Sequence, residues 1–289
     1  MKQTGQIIRS YGRRFIVESG ERTYDCTSRG KRVDYVCGDH VDITVLNDEQ
    51  AVIEGSHDRH SLLYRQDDWR TKLIAANVSR IFFVTATVPS PSEELLNRCL
   101  LAAEAADIEP VIVVNKSDLP ETAGWLDKLQ PYQQLGYQLV TISAKQGAEA
   151  LRPLLQGHTS VLVGQSGMGK STITNALLPE AAARVGEISE ALDAGRHTTT
   201  HAALYHLNAD SHLIDSPGLQ EFGLSHIGAT ELAGLFPEMR DYLGHCRFHN
   251  CTHRQEPDCA IKQAGQEGRI RPLRLELLQK LVTQAINAK

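Results

Sequence analysis

The N-terminal part of the chain carries short stretches in which apolar and polar residues alternate, a pattern typical of β-strands with one buried face. Between residues 5 and 55 these stretches recur at regular intervals, and turn residues such as Gly12 and Gly20 separate them. This spacing predicts a small antiparallel barrel. The predicted strands are 6–9, 14–18, 23–26, 41–45 and 51–53. Residues 56–72 are polar and rich in Arg, Asp and His, and we expect them to form a linker.

From Ser79 onward, continuous apolar runs alternate with stretches of helical length, which predicts a mostly parallel sheet covered on both faces. The predicted strands are 81–84, 111–114, 138–142, 160–163, 203–207 and 211–214, and helices are expected at 95–105, 121–134 and 171–178. After residue 225 a helical pattern is interrupted by a cluster of cysteines and histidines. The three zones predict domains at 1–65, 70–225 and 226–289.

The strongest chemical signal is the run GQSGMGKS at 164–171, which fits the phosphate-loop pattern G-x-x-x-x-G-K-[ST] between a predicted strand and a predicted helix. Its glycines allow backbone N–H groups to surround phosphates, and the helix N-terminus adds the positive end of its dipole. Lys170 would reach the β- and γ-phosphates and act in catalysis, and the Ser171 hydroxyl would ligate Mg²⁺. The expected nucleotide-binding residues here are Gly164, Gln165, Ser166, Gly167, Met168, Gly169, Lys170, Ser171 and Thr172.

A second signal, Asn115-Lys116-Ser117-Asp118, follows the predicted strand 111–114 and fits the guanine motif N-K-x-D. The Asp118 carboxylate would accept hydrogen bonds from N1–H and the 2-amino group of guanine, whereas adenine would leave it desolvated and unpaired. The alternative is an ordinary loop and helix start, in which Ser117 and Asp118 simply cap a helix. The run Ser143-Ala144-Lys145 fits the loop that backs the guanine base, although this short pattern is weak by itself.

The run Asp215-Ser216-Pro217-Gly218 fits D-x-x-G at the end of the strand 211–214. Asp215 would steady Mg²⁺ through water, and the Gly218 N–H would reach the γ-phosphate. D-x-x-G is expected about once by chance in a chain of this size. The motif is informative here only because it follows an apolar strand. The chain order is N-K-x-D, S-A-K, phosphate loop, D-x-x-G, which is a circular permutation of the Ras-like order. Such a permutation is tolerated because domain termini often lie close together.

The cluster Cys246, Cys251, His253 and Cys259 has the residue types of a zinc site. Three thiolates and one imidazole complete a tetrahedral set, so a single Zn²⁺ held there would be structural. The alternative is a group of reduced cysteines in a small helical domain. His245 and His249 lie in the same stretch, but their spacing does not match. The scattered cysteines Cys26, Cys37 and Cys99 are expected in the core.

The permuted motif order, the segment Gly195-Arg196-His197-Thr198-Thr199-Thr200, the barrel and the Cys/His cluster together resemble the ribosome small-subunit-dependent GTPase A family. The resemblance covers essentially the whole chain. It implies an α/β fold in which a circularly permuted P-loop GTPase domain stands between an N-terminal OB-fold barrel and a C-terminal, mainly helical, zinc-binding domain. It also implies hydrolysis of GTP to GDP and a function in late maturation of the small (30S-type) ribosomal subunit, and its zinc pattern matches the four residues of the cluster.

The distribution of charge is consistent with a nucleic-acid partner. The net charge of −5 combines +5 over residues 1–32, −14 over 33–239 and +4 over 240–289, so a polyanion is expected at the two ends. OB-folds stack bases on aromatic side chains beside cationic grooves, although a solvated basic face with core aromatics would give the same pattern. The residues expected to contact ribosomal RNA are Arg9, Tyr11, Arg13, Arg14, Phe15, Arg29, Lys31, Arg32 and Tyr35, with Arg269, Arg271 and Arg274 as a second contact.

One departure from the Ras-like pattern bears on catalysis. Leu219 follows Gly218 at the position where Ras-like proteins carry the glutamine that orients the attacking water. Leucine cannot form a hydrogen bond, so slow intrinsic hydrolysis is expected. His197, in the threonine-rich segment, is the candidate for positioning the water; the alternative is a solvated loop residue.

No segment approaches the 18 or so continuous apolar residues of a membrane helix, and the first residues lack the apolar core of a secretory signal. We therefore expect a cytoplasmic protein without a membrane partner. The family resemblance adds the expected partners, which are GTP and GDP, the small ribosomal subunit and its rRNA, and a monomer is expected. A GTP-controlled RNA-binding adaptor with incidental hydrolysis is the alternative function. A metabolic P-loop kinase is disfavoured by the guanine motif.

Overall fold

The computed structural model describes residues 1–30, 34–67, 70–178, 202–215, 222, 224 and 226–287. Five N-terminal strands form a barrel in the order β1-β2-β3-β5-β4, which closes where β4 pairs with β1. Alternate side chains point inward, as Phe15 and Val17 do from β2, so the barrel has its own apolar core. The strands are β1 (Lys2–Tyr11), β2 (Arg14–Ser19), β3 (Arg22–Ser28), β4 (His40–Val45) and β5 (Gln50–Ser56). All five predicted barrel strands are confirmed.

The linker predicted at 56–72 is wrong. Two strands, β6 (Leu62–Asp67) and β7 (Arg70–Ala76), pair there as an antiparallel hairpin. The polar composition of the region obscured two apolar anchors, Leu63 in β6 and Ile74 in β7, which are buried in the main core. The boundary predicted between residues 65 and 70 falls inside this hairpin.

A six-stranded sheet forms the centre of the molecule, in the order β10-β9-β8-β11-β13-β12. Every pair is parallel except β12 with β13, and β12 also pairs with β1 of the barrel, so one sheet runs through both. Its strands are β8 (Arg80–Thr85), β9 (Glu109–Val114), β10 (Gln138–Thr141), β11 (Thr159–Val163), β12 (Ala203–Asn208) and β13 (Ser211–Asp215). The predicted mostly parallel sheet is confirmed.

Helices cover both faces of the central sheet. On β8, Ile81 and Phe83 face one apolar cluster and Phe82 and Val84 face the other, which explains why this strand is apolar without alternation. The helices of this region are α1 (Glu93–Ala105), α2 (Thr122–Gln134), α3 (Arg152–Leu155) and α4 (Lys170–Leu177).

The C-terminal part is mainly helical, as predicted. Two 3₁₀ turns, Leu232–Leu235 and Pro237–Tyr242, lead to the cysteine cluster, and α5 (Ala260–Gln266) and α6 (Pro272–Asn287) follow it. One side of α6 is buried in the main core, through Leu277, Leu278, Leu281 and Val282. Within the described ranges, no helix combines the length and apolar character needed to cross a membrane.

Candidate functional site

Four strands that precede or carry the predicted motifs end at one edge of the central sheet, because the carboxyl ends of parallel strands lie on the same side. β9 leads into Asn115, β10 leads to Ser143, β11 leads into Gly164, and β13 ends at Asp215. In the sheet, β11 lies between β8 and β13, so the phosphate loop occupies the centre of this edge.

The turn from β11 to α4 requires glycine at two positions. Gly164 has a φ of +136°, and a Cβ there would lie 2.2 Å from the carbonyl oxygen of Val84. Gly169 has a φ of +97°, and its Cβ would lie 2.2 Å from the Asn115 Nδ2. Both the left-handed backbone and the close neighbours exclude a side chain. The glycines of the motif are therefore required by the geometry of the loop itself.

Lys170 begins α4 and folds back over the loop. Its Nζ donates to the carbonyl oxygens of Gly164 at 2.7 Å and Gln165 at 2.8 Å, so the ammonium group lies beside the loop backbone. Burial lowers the pKa of Lys170, and the nearby Asp215 carboxylate opposes that shift. Burial raises the pKa of Asp215 in turn, opposed by Lys170. A half-buried cation and a carboxylate thus lie together where a phosphate and its metal ion would bind. Ser171 and Thr172 follow in the first turn of α4 with exposed side chains, whereas Met168 is buried beneath the loop.

Asn115 joins three of the four loops. Its Nδ2 donates to the carbonyl oxygen of Met168 at 2.9 Å, and its Oδ1 accepts from the Ala144 N–H at 2.9 Å. The side chain is 2% exposed, so both bonds are shielded from water. Lys116 adds a bond from its Nζ to the carbonyl oxygen of Gly167 at 2.7 Å. The guanine motif is therefore fastened to the phosphate loop and to the Ser143-Ala144-Lys145 loop.

Asp118 is exposed at the open side of this site. The Ser143 hydroxyl donates to its Oδ1 at 2.7 Å. That bond lowers the pKa of Asp118, together with a bond from its own backbone and the charges of Lys145 and Lys116. The carboxylate is therefore fully ionised near neutral pH and is an acceptor for adjacent N–H donors.

The turn after β8 also contacts these loops, although none of the sequence motifs includes it. The carbonyl oxygen of Val88 accepts from Lys116 Nζ at 2.6 Å, and the Ser92 N–H donates to Gln165 Oε1 at 2.8 Å. No residue type in the turn signals this position. The parallel order of β9, β8 and β11 would have predicted it, since the turn leaves the same edge of the sheet.

Two predicted parts of the site lie outside the described residues. They are the segment 195–200 with His197, and the positions 216–219 with Gly218 and Leu219.

The four candidate metal ligands come together as predicted. The ligand atoms of Cys246, Cys251, His253 and Cys259 all lie within 4.8 Å of one another. Sγ of Cys246 lies 3.8 Å from Sγ of Cys259, and Nδ1 of His253 lies 3.4 Å from the latter sulfur. Bonds of about 2.3 Å to a tetrahedral zinc would place two sulfurs about 3.8 Å apart. These residues can therefore hold a metal ion, and their spacing fits zinc.

The protonation of the cluster also suits a metal. Burial lowers the pKa of His253, which keeps the imidazole neutral and able to coordinate. Burial raises the pKa of the Cys251 and Cys259 thiols, so a bound cation is needed to hold them as thiolates. His245 and His249 are exposed outside the cluster.

The predicted RNA-contacting residues divide into two groups. Phe15 and Tyr35 pack edge to face inside the barrel, with ring centroids 5.8 Å apart, so the prediction that they stack on bases is wrong. Alternation had placed Phe15 correctly on a strand but could not tell the inner face from the outer one, and Tyr35 lies in the segment between β3 and β4. Exposed Arg13, with Tyr11 and Arg14, lines a surface groove of about 420 Å³. Arg14 pairs there with Asp25, Arg29 pairs with Glu54, Arg9 is half-buried, and Lys31 and Arg32 lie outside the described residues.

The predicted second contact for RNA is wrong at Arg274. This side chain is fully buried, donates to the Glu238 carboxylate at 2.6 and 2.8 Å and lies over the Phe236 ring. Arg269 and Arg271 are partly exposed and pair with Glu267 and Glu93. These three arginines therefore have carboxylate partners within the protein.

Comparison with known proteins agrees with this geometry. A family model described as RsgA GTPase matches residues 56–225. The Neisseria meningitidis protein named small ribosomal subunit biogenesis GTPase RsgA is 59% identical over 98% of this chain and 93% of its own length. The protein of the same name from Nitrosospira multiformis is 49% identical over 96% and 90%.

Two solved structures have the same fold over nearly the whole chain. The crystal structure of YjeQ from Thermotoga maritima has a TM-score of 0.74 at 28% identity and covers 99% of both chains. That of YloQ, described as a circularly permuted GTPase, has a TM-score of 0.73 at 28% identity and covers 100% of this chain and 96% of that one. The permuted order predicted from the motifs is confirmed.

Proposed function

This chain belongs to the RsgA GTPase family and is a GTP hydrolase, and from that premise we propose that it assists the biogenesis of the small ribosomal subunit. The observation that carries the proposal is the position of Asn115, whose two hydrogen bonds fasten the phosphate loop to the loop that backs the base. A site built in this way holds the phosphates and the base of one nucleotide in a fixed relation.

We assign guanine recognition to the loop after β9, which carries Asp118. Asp118 accepts from N1–H and the 2-amino group of the base, and Ser143, Ala144 and Lys145 back the ring. The bond from Ser143 supports this assignment, because it orients the carboxylate before the nucleotide arrives. Adenine offers neither donor, so it would leave the Asp118 carboxylate without partners.

The phosphate loop, Gly164 to Thr172, holds the triphosphate in this proposal. Lys170 neutralises charge on the β- and γ-phosphate oxygens, and its two carbonyl contacts keep the ammonium group in place. Ser171 and Asp215 would hold Mg²⁺, which supplies charge stabilisation at the transferred phosphoryl group when bound. Gly218 would contact the γ-phosphate, and His197 would position the attacking water because Leu219 cannot.

The Cys/His cluster holds one structural zinc ion in this proposal. All four ligands come from the chain, so no position remains for a substrate. The partner is the small ribosomal subunit with its rRNA, contacted through exposed basic residues of the barrel such as Arg13. We expect a monomer that acts in the cytoplasm, where this subunit matures.

Single-turnover hydrolysis of GTP, measured with and without purified small subunits, tests this function. We expect slow hydrolysis by the free protein and a stimulation of about 10³–10⁵-fold, the range known when a partner completes such a site. Large subunits serve as the control, and ATP replaces GTP in a second arm. Equal rates with both subunits would contradict the proposal. Binding to small subunits without stimulation would favour the RNA-binding adaptor.

The variant His197→Ala tests the candidate for positioning water. We expect it to lose most of the subunit-stimulated rate while GTP affinity stays unchanged. An unaltered stimulated rate would remove His197 from the mechanism and leave the GTPase function in place.

A further inference from the structure

The second residue of the phosphate loop makes a contact outside the loop. Oε1 of Gln165 accepts from the backbone N–H of Ser92 at 2.8 Å. Ser92 is the N-cap of α1, and its hydroxyl accepts from the Leu95 N–H at 3.1 Å. The N–H of an N-cap has no acceptor inside its own helix, so Gln165 satisfies a donor that the helix leaves open.

The same end of α1 is held by the C-terminal helix α6 and by Arg271, the residue that precedes it. Glu93 pairs with Arg271 at 2.9 Å, and Glu94 pairs with Lys280 at 2.7 Å. One turn further along, Oδ1 of the fully buried Asn97 accepts from Nη1 of Arg274 at 2.8 Å. The first turns of α1 are therefore fastened to α6 on one side and to the phosphate loop on the other.

A second bond network makes this end of α1 stiff. The Tyr132 hydroxyl of α2 donates to the Glu93 carboxylate at 2.8 Å and accepts from Asn97 Nδ2 at 2.9 Å. A displacement of α6 would have to break these bonds or move the helix start as a unit. Since Ser92 begins that helix, such a movement would reach Gln165.

We propose that Gln165 is a positioning residue, which transmits the docking of the C-terminal domain through α1 to the phosphate loop and so sets how long a nucleotide stays bound. The inference rests on the proposed function, because it takes the loop to be the phosphate site. It adds a route between the two regions that does not pass through the segment after Asp215.

The amide is the group that this position requires. A carboxylate would suit the positive end of α1 but would place a negative charge on the loop that receives a triphosphate. A neutral acceptor of the same length satisfies Ser92 without repelling the nucleotide. Glutamine meets both conditions.

The test is the dissociation rate of a fluorescent GDP analogue, measured by stopped flow on the full chain. Gln165→Met keeps the length of the side chain and removes the acceptor, and we expect it to raise the rate about fivefold, as for one lost hydrogen bond. The double variant Arg271→Ala/Lys280→Ala breaks both ion pairs at the helix start and should raise the rate by a similar factor. Combined with Gln165→Met, it should add little, because one route is interrupted twice.

Arg240→Ala is the matched control. Arg240 pairs with Glu104 at 2.6 Å, so it joins the same helix to the same part of the chain at the opposite end of α1. We expect its dissociation rate to stay within about 1.5-fold of wild type, because the pair lies at the end of α1 far from Ser92, and distant sites seldom couple. A rate raised as much as in the double variant would indicate general loosening and would overturn the proposal.

A second readout separates positioning from a merely structural role. In Gln165→Met, the dissociation rate should rise while the urea midpoint of unfolding stays at the wild-type value, which a general loss of stability would lower. A wild-type dissociation rate in Gln165→Met, or rates that multiply in the combined variant, would overturn the route through Gln165. Failure of the wild-type protein to bind the analogue would instead contradict the proposed nucleotide site.

Discussion

At the scale of single residues, the proposed choice of guanine depends on the carboxylate of Asp118. It is exposed, ionised and oriented by Ser143, while Asn115 in the same motif is buried and structural. In the proposed function, two residues three positions apart therefore have different roles: Asp118 recognises the base and Asn115 builds the pocket. The motif alone does not distinguish these tasks, because both side chains are short and polar.

The variant Asp118→Asn should lower affinity for GTP and GDP about 5- to 150-fold, the usual range for losing such bonds. It should favour xanthine nucleotides, since their C2 oxygen can accept from the new amide. A fluorescence titration with both nucleotides measures this change. Asp127→Asn, an exposed acid on α2, is the control and should match wild type. Equal affinity of the wild-type protein for ATP and GTP would refute guanine recognition.

At the scale of elements, the phosphate loop depends on its close approach to β8. Gly164→Ala would place a methyl group against the Val84 carbonyl oxygen, 2.2 Å away, at a φ that side chains rarely adopt. We expect at least tenfold weaker GTP binding, because the loop must move to relieve the contact. Gly157→Ala is the control: Gly157 has a φ of +73°, but an added Cβ would have no atom within 4 Å, so this variant introduces backbone strain without a clash. If both variants bind GTP equally well, the close approach has no role in forming the site.

The sequence predicted the elements whose pattern is strong over a full strand or helix. Each predicted strand of the barrel and central sheet is present, because alternation or continuous burial repeats across it. The β6–β7 hairpin was missed because the apolar run around Leu63 is short and followed by polar residues, while the apolar run of β7, 73–76, begins only after the polar stretch. Alternation assigns a residue such as Phe15 to one face of its strand, but only the closed barrel shows that this face lies inside.

The candidate site was predictable where motifs carry their own geometry. The phosphate loop, the guanine motif and the cysteine cluster all lie where their spacing indicated. The bond between Gln165 and Ser92 was not predictable, since it joins residues 73 positions apart through the order of strands. The burial of Arg274 was equally hidden, because a charged residue late in the chain gives no sign of a carboxylate partner on another element.

At the scale of the whole molecule, Arg274 holds the C-terminal helix to the rest of the protein. Removing one partner of a buried pair commonly costs about 3–5 kcal/mol, because the other charge remains without a partner. Arg274→Met should therefore raise hydrogen exchange throughout α6. Arg152→Met breaks an exposed pair with Glu149 and is the control, which should leave α6 unchanged. Unchanged protection of α6 in Arg274→Met would show that apolar contacts alone dock the helix.

Loss of the metal should destabilise the C-terminal region locally and leave nucleotide binding unchanged. We expect Cys251→Ala to lose its zinc, measured as metal per chain, and to expose the segment around residues 246–259 to exchange. GTP binding should remain near the wild-type value, since the ligands of the phosphate loop are intact. Cys26→Ala removes a buried thiol of the barrel and should retain the metal. A full metal content in Cys251→Ala would exclude this cysteine as a ligand.

The most direct test of the account compares the affinity of the protein for small ribosomal subunits with a non-hydrolysable GTP analogue and with GDP. The segment after Asp215 leads directly toward the metal cluster, so ordering by the γ-phosphate is expected to change how the C-terminal domain docks. We predict tighter binding in the GTP-analogue state by about 5- to 150-fold, the usual range of such coupling, and a smaller ratio in Cys251→Ala. A ratio near one in the wild-type protein would contradict the account.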